Sequence, residues 1–185
     1  MMIDDGTGSG RRAKVTTENL LAILGIILPI EHHVNHEERR AYNCVVEQTP
    51  GGAGYYFFYL KNTADDDLIV TSIQLYTPSV ETINFVLLPI GTAVGTAYVP
   101  INKYCGSANT ADADCVVGNN ITGLTGGNIV DRLVINGSTI GMINIDWISN
   151  FIVPKNTAIA FSAVAGSIKI NMTLSIFFHG SLFLS

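Results

Sequence analysis

The stretch SIKINMTLSIFF, Ser167 to Phe178, places Ile168, Ile170, Met172, Leu174 and Ile176 on every second position with polar residues between them. A period of two is that of a half-buried β-strand, and it cannot lay one apolar stripe along a helix. The same reading extends over most of the chain. YNCVVEQ, YYFFYLKNT, LIVTSIQLY, ETINFVLLPI, IVDRLVIN, GMINIDWIS and FIVPKNTAIAFSAV are rich in β-branched and aromatic residues. TPGGAG, ADDD and PKNT punctuate them with turn residues. Seven to nine strands at about ten-residue spacing predict an all-β fold, an antiparallel two-sheet sandwich of jelly-roll type, with an immunoglobulin-like sandwich as the nearest competitor.

Two hairpins are expected in the first half, one closed by TPGGAG and one by ADDD. Leu20 to Leu28, apolar at nearly every position and ended by Pro29, reads as a strand covered on both faces. EHHVNHEERR, 31–40, lacks Gly and Pro and carries acids and bases three and four apart, which predicts a helix of two or three turns. Gly91 to Asn128 is a long excursion rich in glycine and asparagine, with a short strand around Ala97 to Ile101. Excursions of that length are commonly functional or interfacial. The expected organisation is an extended arm over 1–19 followed by one sandwich domain over 20–185.

Charged residues make up 14% of the 185, against about 25% in an average soluble protein, and the net charge is −5. A surface so poor in charge suits a protein largely covered by neighbours. Nucleic acid is not an expected partner, because phosphate binding needs a dense Lys and Arg stripe. Nor is a membrane: the longest apolar run, LLAILGIILPI, falls short of the roughly 18 residues needed to span a bilayer. No secretory signal is expected either. The three cysteines are an odd number, so a disulfide framework is not expected, although Cys105 and Cys115 bracket a polar loop and could close it.

The opening segment, DGTGSGRRAKVTTENLLAI, offers almost nothing to a core. Ordering such a glycine-rich stretch costs about 1 to 2 kcal/mol per residue in backbone entropy, which its own side chains cannot offset. Such a segment either stays loose or gains a fixed shape by lying on another chain. From Asp5 to Leu21 the segment resembles the beginnings of small virion-associated proteins of tailed bacteriophages: D-G-T-G-S/K-G, two variable residues, A-K-V, then N-x-L and a strand. One departure is that Leu20 stands before Leu21 where an Arg commonly precedes the Leu. The resemblance implies a non-enzymatic structural protein of the phage particle, a capsid decoration or cement protein, assembled in the host cytoplasm and located on the virion. It further implies the major capsid protein as partner, homotrimeric assembly, and a capsid-contact arm of Asp5, Gly6, Thr7, Gly8, Ser9, Gly10, Arg11, Arg12 and Lys14. The alternative from another class is a glycan-binding, host-recognition module of a tail or head fibre.

Other candidate sites each carry a plainer reading. His32 and His36 share a helix face as zinc ligands can, with His33 beside them, yet no further ligand or H-E-x-x-H pattern accompanies them. GTGSG lacks the preceding strand and following helix of a phosphate loop. Asp65 to Asp67, and Asp112 with Asp114, supply oxygen ligands for calcium without the twelve-residue loop, and Asp is an ordinary turn residue. His179 near the end of an apolar strand reads as structural, and Tyr55 to Phe58 as mostly core. No catalytic constellation is recognisable, and no cofactor is expected.

Overall fold

The computed structural model describes residues 2–4, 12–15, 21–22, 34–137 and 143–179, with backbone alone for the first three segments and for 147–150. Near the N-terminus, β1 (Met2–Asp4), β2 (Arg12–Val15) and β3 (Leu21–Ala22) pair antiparallel in a sheet of their own. Met2 stands opposite Lys14, and Lys14 opposite Ala22. Apart from Leu21 and Ala22, the strand expected over Leu20 to Leu28 lies outside the described residues.

The expected helix is a single π-helical turn, Val34–Glu38. Val34 is the one large apolar residue of this stretch, and it packs with Ala41, Ile69 and Phe177 in a small satellite core. One anchor holds one turn, because an amphipathic helix needs an apolar stripe repeated over successive turns. Arg39, at φ 55°, then turns the chain into the sandwich.

Eleven strands follow: β4 (Ala41–Gln48), β5 (Tyr56–Asn62), β6 (Asp67–Tyr76), β7 (Glu81–Leu87), β8 (Ile90–Tyr98), β9 (Ile101–Asn102), β10 (Ala113–Thr125), β11 (Asn128–Ile135), β12 (Ile143–Val153), β13 (Ala158–Ala163) and β14 (Ile170–His179). They form a five-stranded sheet in the order β12-β6-β14-β4-β9 and a six-stranded sheet in the order β11-β7-β13-β5-β10-β8, with every pairing antiparallel. Without β8, β9 and β10, two four-stranded sheets remain, and the chain crosses between them at almost every turn. That is the jelly roll. The crossing corrects the expected hairpins: β4 pairs with β14, β5 with β13 and β10, and β6 with β14 and β12. The turns after β4 and β5 bridge the gap of about 10 Å between packed sheets instead of folding back within one.

The core lies where the inner faces meet, and Phe161 sits at its centre. Its ring stacks on Phe85 at 4.9 Å between centroids and meets Phe58 and Phe57 at 5.9 and 6.3 Å. Phe151, from the opposite sheet, closes edge-on over Phe85 at 4.6 Å. Strict alternation would turn one of Phe57 and Phe58 outward, yet both are fully buried. A bulge explains this: Phe161 pairs with Phe58 and Ser162 with Tyr56, leaving Phe57 as an extra residue free to turn inward.

Two buried polar residues fasten the turns. Asn62 donates through Nδ2 to the carbonyls of Asp66 and Val153 and accepts through Oδ1 from the Ala64 amide. The Glu81 carboxylate, 1% exposed, accepts from the amides of Thr82, Ala165 and Gly166. The polar atoms of these two side chains, taken out of water, are thereby paired. Truncating the central ring is expected to cost most: Phe161→Ala should lower unfolding stability by about 3 to 5 kcal/mol in chemical denaturation, and a loss below about 1 kcal/mol would show that the aromatic cluster does not hold the sheets together.

Candidate interaction surface

The excursion between β7 and β11 is not a loop but a long, bent ribbon of two strands. Near Tyr98 and Cys115, β8 and β10 extend the six-stranded sheet beyond β5. The pairing of β10 with β5 then breaks between Val117 and Ile121, and its pairing with β8 shifts at Thr122 and at Leu124. These irregularities bend the ribbon over the outer face of its own sheet. There Ile121 and Leu124 bury themselves against Tyr59, Ala158 and Ala160 in a second apolar cluster. Burial, with the Asp114 carboxylate added, pushes the Tyr59 phenol above its ordinary value.

Two glycines make the bend possible. Gly91 adopts φ 117° and Gly123 φ 78°, and their backbones approach so closely that a Cβ on Gly91 would lie 2.0 Å from the Gly123 carbonyl oxygen. A Cβ on Gly123 would lie 2.2 Å from the carbonyl oxygen of Thr92. Any other residue would meet backbone rather than a side chain that can move aside.

The β8 side of the ribbon is uncharged and carries exposed apolar side chains. Between Glu81 and Lys103 the chain carries no Asp, Glu, Lys, Arg or His. β8 closes the six-stranded sheet, with no strand paired to its outer side among the described residues. Ile90 and Val94 on β8 are 68% and 60% exposed, and Val99 beyond it 68%. Leu88 and Ile101, flanking the strand, are exposed too. The uncharged run is the sequence signal that could have revealed this surface, and its glycines made it read as a loop.

Beneath the ribbon lies an open cleft of about 330 Å³, with Tyr59, Lys61, Thr92, Tyr98 and Asp114 among its lining. Lys61 and Asp114 are register partners on adjacent strands. A second cleft, of about 370 Å³, lies where the Tyr42 hydroxyl donates to the Thr110 carbonyl, with Arg40, Asn109 and Asp112 around it.

Of the sequence-predicted contact residues, Asp5, Gly6, Thr7, Gly8, Ser9, Gly10 and Arg11 lie outside the described residues. Arg12 and Lys14 stand on β2, opposite Asp4 and Met2. His32 and His33 also fall outside, and His36 is exposed and pairs with Glu37 at 2.8 Å. Among the described residues no three His, Cys, Asp or Glu side chains converge as a metal site would require. The calcium candidates on the β5–β6 turn have other partners: Asp66 pairs with Arg40, and Asp65 with Lys155, whose hydrogen bond holds the Asp65 carboxyl below its usual range. His179 ends β14 opposite Asp67, with its Nδ1 buried. In the Tyr55 to Phe58 run Tyr55 is exposed, while the Tyr56 hydroxyl donates to the Gly126 carbonyl.

The bridge considered between Cys105 and Cys115 is not formed. Cys105 is exposed, and Cys115 faces the core against Cys44 on the other sheet. The Cys44 sulfur, and after it burial, push the Cys115 thiol far above its ordinary range. No helix among the described residues is long and apolar enough to cross a membrane. No protein-family model, curated protein or solved structure matches the chain.

Because the bent ribbon requires Gly123 in its left-handed conformation, Gly123→Ala is expected to lower stability by about 1 to 3 kcal/mol in thermal or chemical melts. An unchanged melting curve would mean that the ribbon does not cross itself at Gly91 and Gly123.

Proposed function

We propose that the protein is a non-enzymatic structural component of a tailed-bacteriophage particle, a capsid decoration or cement protein that binds the assembled lattice of major capsid protein as a homo-oligomer. The observation that carries this reading is the surface described above: a long, uncharged, apolar edge held out by a rigid jelly-roll body. A free monomer gains nothing from such an edge, whereas a protein surrounded by copies and neighbours can cover it. The jelly roll itself recurs in capsid and lectin domains, so it fits the proposal without selecting it. The phage assignment draws on the resemblance of Asp5 to Leu21.

Stabilisation of a shell would follow from linkage. A protein that binds the closed lattice and not the opened one shifts the opening equilibrium by mass action. Weak contacts repeated at symmetry-related positions add through effective concentration. Arg12 and Lys14 would give the arm its positive charge against the shell.

A second reading, a glycan-binding module of a fibre, draws on the cleft beneath the ribbon, where Tyr59 stands beside Lys61 and Asp114. Copy number separates the two. Quantitative mass spectrometry of purified particles of the phage that encodes the chain is expected to find copies in the hundreds, as a lattice of repeated sites requires. A few copies per particle would favour the fibre, and none would overturn the phage reading altogether. Removing residues 1–15 is expected to weaken binding to the particles, and undiminished binding would remove the arm from the contact.

A further inference from the structure

The strand edges of this sandwich are not treated alike. An open edge presents unpaired N–H and C=O groups to any passing strand, and natural proteins blunt such edges with charge, proline or shortness. β11, at one end of the six-stranded sheet, carries Asp131 and Arg132. β12, at one end of the five-stranded sheet, carries Asp146, and β9 at the other is two residues long. The part of β4 that β9 leaves uncovered carries the exposed Glu47. β8 has nine residues and no charge, and within it no proline.

We infer that β8 is a self-association edge, and that two copies of the chain pair β8 with β8 antiparallel about a two-fold axis through Val94. The sequence of the strand, IGTAVGTAY, is close to self-complementary in that register. Val94 meets its own counterpart, Thr92 meets Thr96, Ala93 meets Gly95, Gly91 meets Ala97, and Ile90 meets Tyr98. A two-fold axis places every residue near a copy of its own neighbours, so a single charge near the axis would meet its like across the ladder. β8 has none to repel. Thr–Thr and aromatic–β-branched pairs are among the favourable cross-strand combinations.

The limits of the ladder are also set by sequence. Pro89 and Pro100 flank β8 on its two sides and have no N–H to donate, so pairing stops at the nine-residue window and cannot slide far from full overlap. Such a contact is isologous and closed, since each copy spends the one long unblunted edge among the described strands of its sandwich. Two six-stranded sheets would become one of twelve strands, ending on both sides at β11, whose Asp131 and Arg132 discourage further pairing. The expected trimer would instead need a heterologous contact between two different patches.

A strand of this length spans roughly 30 Å, and pairing it buries well under the roughly 800 Å² per partner of a standard interface. The pair is therefore weak and concentration-dependent in free solution. This inference goes beyond the particle reading and is tested on free protein, so either can fail without the other.

Sedimentation equilibrium of the full chain over a wide concentration range is expected to show a monomer–dimer equilibrium with no larger species. Val94→Lys, at an exposed position where folding should be unaffected, is expected to raise the dimer dissociation constant at least about tenfold through like charge across the axis. Val134→Lys, the same change on the exposed face of β11, should leave it unchanged. A second measurement fixes the register: Val94→Cys in a Cys105→Ser background should cross-link to a dimer with a short bismaleimide, because the only other thiols are buried. Monomer at every concentration, self-association of Val94→Lys equal to wild type, loss of association in Val134→Lys, or no cross-link at position 94 would each overturn the proposal.

Discussion

Every strand in a sandwich has two sides, and the outermost strand of each sheet has backbone donors and acceptors on a side where no neighbour exists. This constraint organises the whole structure. The jelly roll pairs eight strands by threading the chain back and forth between two sheets. That arrangement still leaves edges, and the chain handles each by local chemistry. At β11, charge does it with Asp131 and Arg132; at β9, brevity; at β12, Asp146. Between β7 and β11 the chain extends the sheet with two more strands and so moves the problem outward to β8, which has neither charge nor proline nor, among the described residues, a strand to cover it.

The rest of the molecule can be read as support for that arrangement. Phe161, Phe85, Phe58 and Phe57 fill the interior from one sheet, and Phe151 meets them from the other. The ribbon is fixed to this body twice. Ile121 and Leu124 hold its bent half against the outer face of the six-stranded sheet. At its other half the Tyr98 hydroxyl accepts from the Val45 amide at 2.9 Å, and β9 joins the edge of β4. An edge held at both ends is presented in one conformation, which lowers the entropy lost when a second chain covers it.

The period-two alternation of the C-terminal sequence survives intact in β14, where Ile170, Met172, Leu174 and Ile176 are buried and the residues between them are partly exposed. β4, β6, β7, β11 and β13 were likewise legible, because β-branched and aromatic residues bounded by turns leave little else for the chain to form. The excursion was not legible beyond its length. Gly91, Gly95, Gly118 and Gly123 are the residues that let two strands bulge and bend, and in a sequence they look the same as loop residues. The partners of Asp65 and Asp66 were hidden for another reason: Lys155 and Arg40 are far away in sequence and are brought in by crossings between sheets. The same crossings set Cys115 beside Cys44 and away from Cys105. Spacing along a chain says little about proximity in a fold dominated by non-local pairing.

Amide hydrogen exchange, compared between dilute protein and the assembled state, tests whether β8 is the edge left open for another chain. The amides of Ile90 to Tyr98 that point away from β10 should exchange rapidly in the dilute chain and slow sharply on assembly, while the edges at β11 and β12 change little. Slowing at β11 or β12 with β8 unaltered would show that β8 is not the edge another chain covers.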